Sequence, residues 1–266
     1  MMNLALYKRE MKSSIRLLLI FAAVITLYIA MIISMYDPEL VKILDHFVEA
    51  MPELMSSVGM KANAVNLLEF MVSYLYGFVL LIFPMIFCML RGNSLVARYV
   101  EKGSMVSLIA APIKRRTVAF TQMLVLVSGI LFLGLYSTGL ELICAAINFP
   151  GELEVIELFR LNGGLLCLHL FVGGICFLAS CIFSDTRYSI GFGAGIPTVM
   201  YILQMLANVG GKAEKAKYFT FFTLFQPDSI IANESGAILS FVVLLIGAVV
   251  MYVLGIVVFS KKDLYI

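Results

Sequence analysis

The sequence predicts an all-α polytopic membrane protein built as one domain over residues 1–266. Three observations carry that prediction. Hydrophobic residues make up 62% of the chain and charged residues only 14%, where soluble domains average roughly 25% charged, and mean hydropathy is +1.01. Six apolar runs reach or exceed the roughly 20 residues that a helix needs to cross a hydrocarbon core about 30 Å thick. With the amino terminus inside, thirteen of the 19 Lys and Arg fall on the inner side. The positive-inside rule therefore predicts a plasma-membrane protein with both termini cytoplasmic.

The chain opens on an amphipathic stretch, 1–16. Leu4, Tyr7, Met11 and Ile15 share one helical face, and Arg9, Lys12 and Arg16 share another. It reads as an elbow helix lying along the membrane, or as a positive flank that fixes orientation. The first span follows at about 17–36, too long for a signal-peptide core. An acidic outer segment comes next, in which Leu40, Leu44, Phe47 and Met51 form an amphipathic stripe begun by Asp37-Pro38. The second span is 67–90, with Pro84 inside it as a hinge or a static kink. The third, 117–147, exceeds what the bilayer needs, which puts Glu141 near the outer interface.

The fourth span, 158–183, carries the pairs Gly163-Gly164 and Gly173-Gly174, which allow close helix approach in lipid. His169 in its middle reads as a hydrogen-bonded core residue before a proton site. The fifth span is 189–209. Its Gly191, Gly193 and Gly195 do not make a nucleotide loop, because no strand precedes them. The aromatic stretch around Phe219, Phe221, Phe222 and Phe225 then predicts two short outer half-helices dipping back toward the membrane, and such backbone needs shielding by protein. The sixth span is 237–259.

Between spans two and three lies the one long charged segment, 91–116. Leu95, Val96 and Tyr99 fall on one helical face, and Arg98, Glu101 and Lys102 on another. Gly103 interrupts the helix, Ser104 can cap a second one, and Met105, Leu108 and Ile109 make its stripe before Pro112. Two readings are open: a lever between two spans that meets a soluble partner, or a loop on the lipid surface.

Several functions are excluded by composition. Basic residues sit at span ends and form no stripe, so nucleic acid is not a partner. The five cysteines all lie in apolar runs, without disulfide or metal spacing. No metal site and no catalytic set is expected.

Segment 91–116 resembles the cytoplasmic loop of type-2 ATP-binding cassette (ABC) permeases. The matching run is Glu101-Lys102-Gly103-Ser104, then Leu108-Ile109, then Pro112-Ile113-Lys114-Arg115. The basic amphipathic start resembles that family's elbow helix, the aromatic stretch to Pro227 its outer re-entrant helices, and Lys261-Lys262-Asp263-Leu264 its tail. The resemblance implies a permease that pairs with a second copy or a paralogue. Each of the two rests a coupling helix on a cytoplasmic ABC ATPase subunit. Leu95, Arg98, Tyr99, Glu101, Lys102, Gly103, Met105 and Leu108 are then the coupling residues. The chain lacks the phosphate-binding G-x-x-x-x-G-K-[ST] loop, so no cofactor is expected on it, and ATP and Mg belong to the partner ATPase.

Small outer loops favour export over import. Phe78, Phe83, Phe132, Met200 and Met205 are the expected substrate path, an adaptable lining that suits amphipathic peptides or hydrophobic drugs before lipid-linked cargo or sodium. A motor-independent secondary transporter or channel is the rival reading. An intramembrane enzyme is less favoured, because His46 and His169 converge with no catalytic partner.

Overall fold

The computed structural model describes residues 2–62, 64–101, 103 and 114–262, and every regular element among them is helical. Among the described residues six helices are long and apolar enough to cross a membrane: Leu4–Ser34, Leu67–Glu101, Arg115–Asn148, Val155–Ile182, Thr186–Val209 and Gly236–Lys261, here spans 1 to 6. The chain is a multi-pass helical membrane protein. With six passes, the start of span 1 and the end of span 6 share one face, called terminal here. The connections between spans 1 and 2, 3 and 4, and 5 and 6 form the opposite, distal face.

Span 1 departs from expectation. A separate elbow is not seen: one helix runs Leu4–Ser34, capped by the Asn3 side chain, which accepts from the Leu6 amide at 2.9 Å. Nothing in Ser13-Ser14-Ile15-Arg16 breaks a helix, so the amphipathic start continues into the span. Its inward face keeps only half of the apolar stripe: Tyr7 and Met11 pack against the core. Leu6, Glu10 and Ser14 are buried, while Leu4 and Ile15 are exposed. Polar bonds to span 3 select that face: the Asn3 amide meets Thr121 Oγ1 at 3.0 Å, and Tyr7 donates to Ser128 Oγ at 2.9 Å.

Span 2 begins at the Asn66 cap, whose Oδ1 accepts from the Glu69 amide, while the Glu69 carboxylate reaches back to the Val65 amide; both bonds are 2.8 Å. The helix then widens into a π-turn at Val72–Tyr76, a local insertion that often marks functional positions. Directly after it, a Cβ on Gly77 would lie 2.5 Å from the Val58 carbonyl oxygen. Gly59, at φ +82°, touches the same spot. Gly77→Ala is therefore expected to cost about 1–3 kcal/mol through backbone crowding, read as a lowered unfolding midpoint in detergent. Gly139→Ala, where nothing lies within 4 Å, should be neutral or slightly stabilising.

The two intramembrane prolines each leave the preceding turn short of a donor. Span 4 supplies polar atoms at both places. Cys176 Sγ meets the Gly193 carbonyl, four residues before Pro197, at 3.0 Å. His169 Nε2 lies 3.0 Å from the Leu81 carbonyl, in the turn before Pro84. The histidine is thus the core residue that the sequence suggested. Span 5 is itself broken there, into Thr186–Gly193 and Gly195–Val209.

Spans 2 and 4 are the most buried; spans 5 and 6 leave wide apolar faces outward. Span 6 packs mainly on span 4 by placing rings over glycines. Phe241 covers Gly164, Phe171 covers Gly247 and Phe177 covers Gly255. At the terminal face Lys262 donates to the Ile182 carbonyl at 2.8 Å, capping the end of span 4. Arg115 donates to the Lys262 carbonyl at 2.8 Å. Burial holds the Lys262 ammonium below its usual range.

On the distal face, helix Pro38–Ala50 is capped by Asp37, whose Oδ1 accepts from the Glu39 amide at 2.8 Å. Val48 is buried, with Val41 and Leu44 packed against the core. Leu40, Phe47 and Met51, three of the four predicted stripe residues, are exposed instead. The aromatic stretch does turn back along the bundle. Short 3-10 helices cover Gly211–Phe219 and Phe221–Leu224, followed by Pro227–Ile231. Thr220 Oγ1 donates to the Met200 carbonyl at 2.9 Å, about 13 Å back from the end of span 5 at the helical rise. Phe221 packs edge-on against Phe171 of span 4 at 5.1 Å.

Candidate functional site

Three polar constellations stand out in this apolar bundle. The first is a joint on the terminal face, at the root of segment 94–115. Glu10 is the one acid in the basic start of the chain. Its Oε2 accepts from Arg91 Nη2 at 2.8 Å, and the same nitrogen lies 2.9 Å from the Glu10 backbone oxygen. Tyr99 donates to the other carboxylate oxygen. Glu10 is 2% and Arg91 9% exposed, so span 1 is pinned to the end of span 2 through a buried ion pair.

The second half of the joint is neutral. Val79–Ser94 ends, and a short helix Ala97–Glu101 begins. A helix start leaves backbone N–H groups without internal partners. Here Ser180 Oγ of span 4 accepts from the Val96 and Ala97 amides at 3.2 and 2.9 Å, and donates to the Asn93 carbonyl at 3.1 Å. Asn93 Oδ1 accepts from Ser189 Oγ of span 5 at 2.9 Å. Thr186, at the start of span 5, bonds to the Glu101 carboxylate. Gly193 makes room: a Cβ there would lie 2.5 Å from Asn93 Oδ1. The short helix, the last turn of span 2, is thereby tied to spans 1, 4 and 5.

The predicted coupling residues separate accordingly. Leu95, at 0% exposure, faces the chain's own interior. Tyr99 is half-buried and bonded to Glu10. Arg98, Glu101 and Gly103 are exposed on the terminal face. Lys102, Met105 and Leu108 lie outside the described residues.

The second constellation is a cavity of about 330 Å³ opening on the distal face. Its walls come from four stretches far apart in sequence: Ser56 to Lys61, the π-turn of span 2, span 5, and Phe222 to Ser229. Tyr76, Leu81, Phe222 and Phe225 give it an apolar floor, and Gln204, Asn208 and Gln226 an amide side. Lys61 and Asp228 form an ion pair across it. Tyr201, 8% exposed, also lines it, and its hydroxyl has no partner among the described residues.

Behind that floor lies the third constellation. Glu141 of span 3, at 0% exposure, accepts through Oε2 from the Tyr76 hydroxyl at 3.0 Å and from Asn162 Nδ2 at 2.8 Å. Its Oε1 has no partner among the described residues. The sequence placed Glu141 near the distal end of its span, and it does lie seven residues before the end at Asn148. The expected solvent contact is absent, because spans 2 and 4 close over it.

The predicted substrate path is not assembled as one surface, and none of its five residues lines the distal cavity. Phe83 packs on Phe21 and Tyr28 of span 1. Phe132 stacks on Tyr136 and is exposed on span 3. Phe78 is partly exposed beside the π-turn, Met205 is half-buried, and Met200 borders a shallow groove on span 5 with Phe192 and Val199.

Sequence reasoning missed Glu10, Arg91, Asn93, Ser180 and Tyr201 as a set. The available signal was weak: one acid inside a basic amphipathic stretch, and an arginine directly after an apolar run. Set against protein-family models, curated proteins and solved structures, the chain finds no match.

Proposed function

We propose that the chain is the membrane permease subunit of an ATP-driven ABC exporter, working with a separate cytoplasmic ATPase and a second permease copy or paralogue. One observation carries the reading. The short helix Ala97–Glu101, the last turn of span 2, is bonded to three other spans at once, to span 1 through Tyr99–Glu10, to span 4 through Ser180 and to span 5 through Glu101–Thr186, with Arg91–Glu10 and Asn93–Ser189 bracing the turn before it. A push on the segment that follows it reaches those spans without first being absorbed in a slack loop. A passive surface loop has no need of such anchoring. In this reading Arg98, Glu101, Lys102, Met105 and Leu108 meet the ATPase, whereas Leu95 and Tyr99 transmit the movement inward. The elbow role passes to the first turns of span 1, which Glu10 links to the joint.

The test is affinity purification of the tagged chain in mild detergent, with ATPase activity assayed on the eluate. A co-eluting ATPase is expected for the wild type and is expected to be lost in Glu101→Ala/Met105→Ala/Leu108→Ala. A folded, monodisperse wild type that brings no ATPase sinks the proposal. Tyr99→Phe should keep the partner but weaken the coupling of ATP hydrolysis to transport.

Glu141 favours a second reading, a motor-independent transporter, since a buried intramembrane acid marks an ion pathway by default. Transport that persists in vesicles without ATPase or ATP would select it.

A further inference from the structure

The distal cavity has a composition that plain helix packing does not require. A site filled only by packing would be apolar throughout. This one has an aromatic and aliphatic floor, an amide side, and one buried hydroxyl, that of Tyr201, with no partner among the described residues. Buried polar groups are nearly always satisfied; the Tyr201 hydroxyl lies closed off at the cavity wall, set to pair with a polar group brought in when the walls part.

The amides are positioned before any ligand arrives. Asn208 Nδ2 reaches the Ser57 carbonyl at 3.3 Å, and Gln204 Nε2 donates to Asn208 Oδ1 at 2.9 Å. Thr223 Oγ1 lies 3.0 Å from Gln204 Oε1. This chain of contacts uses one hydrogen on each amide nitrogen and leaves the second for an outside acceptor. The charged groups on the wall, Lys61 and Asp228, are paired with each other. A phosphate or a carboxylate would thus find no uncompensated cation. The volume, about 330 Å³, is at the small end of ligand sites, which run about 300–1,000 Å³.

We propose that this cavity binds one uncharged apolar residue of a peptide, ring or aliphatic chain on the floor, with the flanking amides held by Tyr201, Gln204 and Asn208. The site assigns the cargo class of the export reading and rests on that reading for its role in transport. It sits within one copy of the chain, where an exported peptide would leave. The Lys61–Asp228 pair joins the Ser56–Lys61 wall to the Phe222–Ser229 wall across the mouth, so the ligand enters when those two walls part.

Binding is measured on the full chain in detergent, without ATPase or ATP, so its outcome is independent of the co-purification result. Ser229→Cys places a thiol on the cavity wall, against a background of native cysteines that all lie within spans. A membrane-impermeant maleimide reports its access, and N-acetylphenylalaninamide is the probe. Saturating probe is expected to slow labelling about tenfold, and Tyr201→Phe to raise the half-protecting concentration about fivefold to tenfold, the loss of one hydrogen bond. Toluene or N-acetylglycinamide, each offering half the chemistry, should protect only at far higher concentrations. Labelling indifferent to the probe overturns the site. So does protection that survives Tyr201→Phe undiminished, or protection by glycerophosphocholine in place of the amide. Protection without a co-purifying ATPase would keep the site and remove the motor; an ATPase without protection would do the reverse.

Discussion

Arg91→Met is expected to lower stability by about 3–5 kcal/mol, the usual effect of removing one partner from a buried ion pair. The Glu10 carboxylate would stay buried beside span 2 with Tyr99 as its remaining side-chain partner, and its backbone carbonyl would lose the Arg91 contact as well. Such a loss is a large fraction of the stability of an ordinary domain. The variant should therefore appear as aggregate or with a strongly lowered melting midpoint in detergent. The double change Glu10→Leu/Arg91→Met removes both charges and should recover most of the loss, since buried pairs are often replaceable by apolar residues of similar size. A double variant no better than the single would show that the pair does more than cancel charge. Because Glu10 also holds Tyr99, the stable double variant is expected to uncouple the short helix Ala97–Glu101 from span 1 while leaving the bundle intact.

Glu141→Ala should cost about 2–4 kcal/mol. Both the Tyr76 hydroxyl and Asn162 Nδ2 donate to the same carboxylate oxygen. Stranding a buried donor costs about 1–3 kcal/mol, and truncation adds a void. Glu141→Gln keeps an acceptor and the shape, and should lose about 1 kcal/mol or less. Thermal unfolding in detergent gives the magnitudes. Hydrogen exchange at 72–77 gives the location, since the π-turn that presents Tyr76 should exchange faster in Glu141→Ala and little faster in Glu141→Gln. Equal exchange in the two variants would mean that the cluster does not hold the π-turn.

The spans were legible because bilayer thickness sets their length and composition alone marks them. The third, read as 117–147, is Arg115–Asn148, and the fourth, read as 158–183, is Val155–Ile182. The ends that failed are those where a polar contact across the bundle decides the outcome. An apolar stripe through Leu4, Tyr7, Met11 and Ile15 is a local property. The buried line through Leu6, Glu10 and Ser14 depends on Arg91, eighty-one residues away. Arg91 itself carries two messages, a positive charge at a span end and a partner for a buried acid, and only the first can be read locally. The distal cavity was invisible for the same reason, as its walls meet only when four separate stretches fold together. Leu95 shows the opposite case. It lies with Val96 in the turn between Val79–Ser94 and Ala97–Glu101 and both are buried, but an apolar residue that faces the chain's own interior and one that meets a partner look alike in sequence.

The rings that span 6 and span 4 exchange have a meaning for how the protein is made. Lipid offers no hydrophobic drive for one helix to join another, so reaching the membrane and finding a place in the bundle are separate tasks for a newly synthesised span. Hydrophobicity accomplishes the first for span 6. Phe241 over Gly164, Phe171 over Gly247 and Phe177 over Gly255 accomplish the second, in the manner of a key cut with teeth on both parts. Two of the three rings belong to span 4, which leaves the ribosome first and so waits in the bilayer with its teeth already exposed. A slip of one residue along the axis turns every ring away from its notch. Span 6 can thus lock against span 4 in only one register, and until it does their shared interface is incomplete.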